Sequence, residues 1–146
     1  MLSSVHIYTR PPYHISTDPG KLDVPGIHRY LSESSYWAKG RSLEAVEKSI
    51  GNSLNFGVYL QDEQVGFARI ISDFSTFAYL ADVYLLPGHQ NKGLSKWLMN
   101  CIVFHPDLRG LNRIMLGTAN AHELYKKYGF SELEHPERWM EKRKSF

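Results

Sequence analysis

Residues 79–104 read YLADVYLLPGHQNKGLSKWLMNCIVF, and the pattern changes twice within that stretch. Phe77 to Leu86 is rich in aromatic and branched apolar side chains, with Asp82 in the middle, as in a mostly buried strand. Pro87 and Gly88 break it, and a polar run from His89 to Gly93 follows. Leu94, Trp97, Leu98, Cys101 and Ile102 then recur at helical spacing along one stripe. The order is strand, small-residue turn, helix.

The first amides of a helix have no partner within it, and the helix dipole adds partial positive charge there. A turn containing Gly93 and Ser95 lets a phosphate approach those amides, and Lys92 adds a full charge. The local pattern predicts an anion site for a phosphate or pyrophosphate, with an ordinary strand–helix connection as the alternative. Three familiar patterns fail here. Gly88 and Gly93 have the spacing of a nucleotide-binding P-loop, but Leu94 replaces its lysine. Gly93-Leu94-Ser95 begins like a nucleophile elbow, but Trp97 replaces the second glycine. No GxGxxG is present, so a dinucleotide fold has no support.

A fourth pattern matches. Gln90-Asn91-Lys92-Gly93-Leu94-Ser95 resembles the (Gln/Arg)-x-x-Gly-x-(Gly/Ala) acyl-CoA motif of the GNAT superfamily of N-acetyltransferases, with Ser95 in place of the last small residue. Downstream, Ala121-His122-Glu123-Leu124-Tyr125-Lys126-Lys127-Tyr128-Gly129-Phe130 resembles the family's A-x-x-LYxKxGF segment. The resemblance runs from about Ile27 to the C-terminus. It implies an α/β (α+β) fold: a mixed, mainly antiparallel sheet of six to seven strands, about four helices, and a splayed central strand pair.

A chain of 146 residues with 42% hydrophobic and 22% charged content suits one soluble domain, here expected over residues 1–146. A net charge of +2, with no basic stripe among aromatics, predicts no nucleic-acid partner. No run approaches the ~20 apolar residues of a membrane span, and no signal peptide is evident. The single Cys101 excludes an internal disulfide and suits a reducing, cytoplasmic setting. Cys101 and His105 have the spacing of a catalytic pair, but the apolar stripe predicts a packed thiol. No metal is expected: the seven histidines are scattered, and His122-Glu123-x-x-Lys126 ends in lysine where a zinc site needs histidine.

In order along the chain, strands are expected at Val5–Tyr8 and Tyr13–Ser16, and a helix capped by Asp23. Tyr36 to Arg41 is expected as a loop carrying recognition groups, followed by a helix capped by Ser42. Leu54–Leu60 and Val65–Ile71 form a hairpin, Arg113–Thr118 a strand, and Asn120 opens a helix ending at Gly129. Phe130–Glu134 and Arg138–Lys142 are predicted as final strands.

The resemblance implies that acetyl-CoA lies in the splay, its pantetheine arm on the backbone of Val83 and Leu85 and its pyrophosphate on the amides of Gln90, Asn91, Lys92, Gly93, Leu94 and Ser95. A neutral amine then attacks the thioester. The Val83 amide is the implied oxyanion donor and Tyr125 the implied general acid, with core packing as the alternative for Tyr125. The family's usual base position is Ala81; Asp82 beside it serves as base or as a structural partner, and Asp73 is a second candidate base and a candidate acceptor contact. Asn120 is placed to contact the cofactor, since the family's asparagine is Thr118 here. Tyr36 and Trp37 offer ring faces to an amine, and Arg69 a guanidinium to a substrate carboxylate. The expected function is acetyl transfer to a primary amine of a small molecule or peptide. The alternative is a CoA-binding regulatory module without turnover, and a homodimer is compatible with either.

Overall fold

The computed structural model of the chain describes residues 4–144. Six strands form one sheet in sequential order: β1 (Ile7–Arg10), β2 (Tyr13–Ser16), β3 (Leu54–Leu60), β4 (Glu63–Ser72), β5 (Phe77–Leu85) and β6 (Arg113–Leu116). All neighbours are antiparallel except β5 and β6, which run parallel. The helices are α1 (Val24–Arg29), α2 (Leu43–Gly51), α3 (Leu94–Val103) and α4 (His122–Lys126). No helix among the described residues is long and apolar enough to cross a membrane.

Local chemistry sets the boundaries. Asp23 caps α1 by accepting from the Gly26 amide at 3.1 Å, and Pro25 occupies the first turn, where no amide is needed. The chain continues as a π-turn over Tyr30–Ser34 and becomes extended at Ser35. Ser42 caps α2 through the Ala45 amide at 3.1 Å. The first strand lies two residues later than expected, because Arg10 pairs with Tyr13 across the Pro11-Pro12 turn and sets the register.

The two sheet faces are covered differently. On one, Leu94, Leu98, Met99, Cys101 and Ile102 of α3 pack on Phe56, Val58, Ala68, Ile70, Ala78 and Leu80. On the other, Ile27, Leu31, Val46 and Ile50 of α1, its π-turn and α2 pack on Phe67 and Tyr84. Each fully buried Val, Leu, Ile, Phe or Met side chain among them contributes about 1.5–3 kcal/mol. Burial also pushes the Cys101 thiol up to about 11, so it stays a packed, protonated thiol and no Cys–His couple forms.

The predicted final strands are a correction. Residues 130–134 and 138–142 contain no strand. A strand needs a ladder, and this segment closes hydrogen bonds locally instead, from the Arg138 amide to the His135 carbonyl and from the Trp139 amide to the Pro136 carbonyl. It meets β6 through a side chain: the Arg113 guanidinium lies 4.8 Å over the Trp139 ring.

Candidate active site

The cleft begins where β5 and β6 separate. Their register runs from Phe77 opposite Arg113 to Leu80 opposite Leu116 and stops there. Beyond Leu80, residues 81–85 of β5 pair only with β4, so their other edge is open. The expected splay is present.

A β-bulge sharpens it. The β4–β5 register slips between Phe67 and Arg69, and Asp82 has a φ of 54°. Leu80, Val83 and Leu85 all belong to the α3-side core, which a regular alternation would not allow. The extra residue at 82 absorbs the mismatch and turns the Asp82 carboxylate away from that core.

There it meets three donors. Trp37 Nε1 donates to Oδ1 at 2.8 Å, and Arg41 Nη1 and Arg69 Nε donate to Oδ2, each at 2.9 Å. Arg69 also donates from Nη1 to Ser53 Oγ at 3.1 Å. The Asp82 side chain is 1% exposed, Arg69 10% and Arg41 27%. A buried carboxylate requires such compensation, and two guanidiniums with an indole supply it.

Tyr36 spans the opening. Its hydroxyl accepts from the Ala119 amide at 2.7 Å, joining the loop after the π-turn to the segment following β6. The half-open cleft of about 330 Å³ is lined by Tyr36, Trp37, Arg41, Arg69, Asp82, Val83, Asn120 and Tyr125, with Tyr79, Leu80, Leu116, Gly117 and Thr118 among the others. Tyr125 lies on α4, whose first turn Thr118 organises by accepting from the Ala121 amide at 3.1 Å. Its ring packs edge-on against Phe130, and its hydroxyl bonds to none of the described residues. Burial, and then the neighbouring Tyr36, raise its pKa above the usual tyrosine value, so it carries its proton at neutral pH.

The other end of β5 leads into the turn before α3. Asn91, Lys92 and Gly93 are exposed, and Asn91 and Gly93 are left-handed at φ 60° and 78°. Gly93 caps α3 with no side-chain bond to its first amides, which leaves them open to a ligand. Leu94 is buried and serves the core. Gln90 Nε2 donates to the Leu85 carbonyl at 2.9 Å, so that acceptor on β5 is already engaged. Leu85 is not part of the cleft lining.

Arg10, on β1, also reaches this turn, donating from Nη1 to the Gly93 carbonyl at 3.1 Å. No pattern in the sequence marks it, because the two residues are 83 positions apart. Arg41 carried a weak signal: a basic loop residue, and an Asp within an apolar strand that needs cationic partners. Asp73 does not join the cleft. It sits in the β4–β5 turn at the opposite end of β5, where it accepts from the Thr76 hydroxyl and the amides of Ser75, Thr76 and Phe77. Those bonds, the Thr76 hydroxyl first, hold its carboxyl well below the usual carboxylate range. Its assignment as a base or acceptor contact is therefore withdrawn: the side chain is consumed by turn formation.

A sheet opened at a bulge, with a glycine-capped helix start beside the opening, is the arrangement that the resemblance to acyl-CoA-dependent acyltransferases implies. The acetyltransferase (GNAT) family model matches residues 24–130, and the chain belongs to that family. A GNAT-family crystal structure from Xanthomonas campestris pv. campestris is 47% identical, with a TM-score of 0.89, covering 92% of this chain and 95% of that one. A Gibberella zeae protein named as an acetyltransferase is 34% identical over 142 residues, 82% of this chain and 79% of its own length. An acetyltransferase structure from Clostridium acetobutylicum containing acetyl-CoA shares the fold at a TM-score of 0.65 and 17% identity, covering 90% and 94% of the two chains.

Proposed function

We propose that the protein transfers the acetyl group of acetyl-CoA to a primary amine by direct attack within a ternary complex. The observation that carries this reading is the open edge of β5 beyond Leu80, which leads on one side to Tyr125 and on the other to the uncapped amides of α3. These features fit the donor: the edge offers backbone to an extended pantetheine, and the turn offers amides, Lys92 and Arg10 to a pyrophosphate. Bound there, acetyl-CoA supplies an activated acetyl thioester.

The chain's own residues supply the rest. Val83, next to the bulge, lines the cleft and presents its amide as oxyanion donor. Tyr125 holds a proton for the departing thiolate. Asp82 acts as a positioning residue: its oxygens are committed to Trp37, Arg41 and Arg69, so the amine's proton passes to water at the cleft mouth. Asn120 closes the cofactor side, and Tyr36 and Trp37 wall the acceptor side. A cytoplasmic setting, where acetyl-CoA is made and used, suits this chemistry.

The test is release of the CoA thiol over a panel of amines, alongside calorimetric binding of acetyl-CoA. Amine-dependent thiol release supports the reading. Tight binding with no release from any amine favours a regulatory CoA-binding module, and absence of binding removes both.

A further inference from the structure

The acceptor side of the cleft carries an uneven charge. Its charged lining residues are Arg41, Arg69 and Asp82, two cations against one anion. The anion is the hidden member, with 1% of its side chain exposed and every bonded oxygen directed at a donor within the protein. The accessible charge is that of Arg41, 27% exposed, which uses only Nη1 on Asp82. Its Nε and second Nη have no partner among the described residues. Arg69 likewise keeps one Nη uncommitted behind it.

A guanidinium that lines a cleft, fixed by a buried carboxylate and with its other donors unpartnered, is preorganised for an anionic oxygen. The same charge repels acceptors bearing several ammonium groups. The cleft of about 330 Å³ is of a size to receive a small amine beside the thioester.

We infer that the acceptor is a small amine bearing a carboxylate, and that Arg41, backed by Arg69, selects it. This rests on the acetyl-transfer reading above. Asp82 thereby acquires its purpose, since it fixes the direction of both guanidiniums. Loss of specificity at this locus should leave the donor site untouched, because the amides of α3 lie beyond the other end of the open edge.

The experiment compares aminoalkyl carboxylates with their carboxamides, matched in chain length, by thiol release under saturating acetyl-CoA. The acid should exceed its amide in kcat/KM by about tenfold or more, as a charge-assisted bond would give. Arg41→Gln should bring that ratio close to one by raising KM for the acids, and Arg41→Lys should restore part of it. Alkyl carboxylates lacking the amine should inhibit competitively against the acceptor and not against acetyl-CoA. Amides reacting as well as acids in the unaltered protein would overturn the inference and leave acetyl transfer standing. So would an Arg41→Gln variant in which acids and amides fall by the same factor, the mark of a purely structural ion pair. If neither acids nor amides release thiol while another amine of the panel does, the inference fails alone; if no amine releases thiol while acetyl-CoA binds, the catalytic reading fails and takes the inference with it.

Discussion

The Tyr36 hydroxyl and the Ala119 amide, 83 residues apart, meet at 2.7 Å across the mouth of the cleft. The bond ties the loop that carries Trp37 and Arg41 to the segment that leads into α4 and Tyr125. Tyr36→Phe removes the acceptor oxygen and frees the loop from that anchor. A neutral hydrogen bond of this kind contributes about 0.5–1.5 kcal/mol, so KM for the acceptor should rise by roughly twofold to tenfold. Acetyl-CoA affinity, measured by calorimetry, should stay within error; a matching loss there would show that Tyr36 supports the donor site instead.

Tyr125→Phe should lower kcat by about a hundredfold or more, the range expected when a general acid is removed. The ring remains, so packing on Phe130 and donor affinity should survive. Because the Tyr125 pKa lies above the usual tyrosine value, kcat in the unaltered protein should show no alkaline decline from this group below that usual value. Unchanged turnover in Tyr125→Phe would return the residue to a packing role.

Asp82→Ala leaves two guanidiniums without their buried counter-charge, which costs about 3–5 kcal/mol and should lower the denaturant midpoint clearly. Asp82→Asn separates positioning from proton transfer. If Asp82 positions the arginines, KM for the acceptor rises while the pH profile of kcat/KM keeps its shape. Disappearance of the acidic limb in that variant would identify Asp82 as the base.

Arg10→Ala and Gly93→Asp both act at the turn before α3 and should both weaken acetyl-CoA binding. Arg10 is exposed, so its loss should raise Kd by only a few-fold, with a reduced dependence on salt. Gly93→Asp combines a strained φ of 78°, a Cβ 3.3 Å from the Arg10 guanidinium and a negative charge facing phosphate, and its effect should be much larger. Calorimetry gives both constants. Equal affinities in all three proteins would place the pyrophosphate elsewhere.

Asp73 makes a pH-dependent contribution to stability with no effect on chemistry. Its folded pKa is depressed, so the contribution is present above the unfolded value near 3.8 and disappears as pH falls below it. Asp73→Asn should therefore unfold more easily than the unaltered chain at pH 7, with the difference narrowing as pH falls below about 4. Its kcat/KM should match. A drop in activity without a drop in stability would return Asp73 to the acceptor site.

Much of the architecture was legible because it depends on neighbours in sequence. The strand–turn–helix unit at 77–103, the caps at Asp23 and Ser42, and the hairpin of β3 and β4 follow from apolar period and cap chemistry, both read within a few residues. The motif around Gly93 placed the turn, and that around Tyr125 placed α4 at the cleft. The final strands misled because local composition marks at most a segment able to pair, whereas pairing needs an available edge and a matching register. In residues 130–144 the backbone bonds close locally and no ladder forms.

The sequence by itself determined which residue types lie on which element, and through two motifs the family and its donor. Only the tertiary structure decided what those residues do together. It committed Asp82 to Trp37, Arg41 and Arg69, brought Arg10 to Gly93 and removed Asp73 to a distant turn. The reason is the range of the forces involved. Propensity and period act over a turn or two, but a charge finds its partner across strands and loops, by a bulge of one residue whose position no local pattern records.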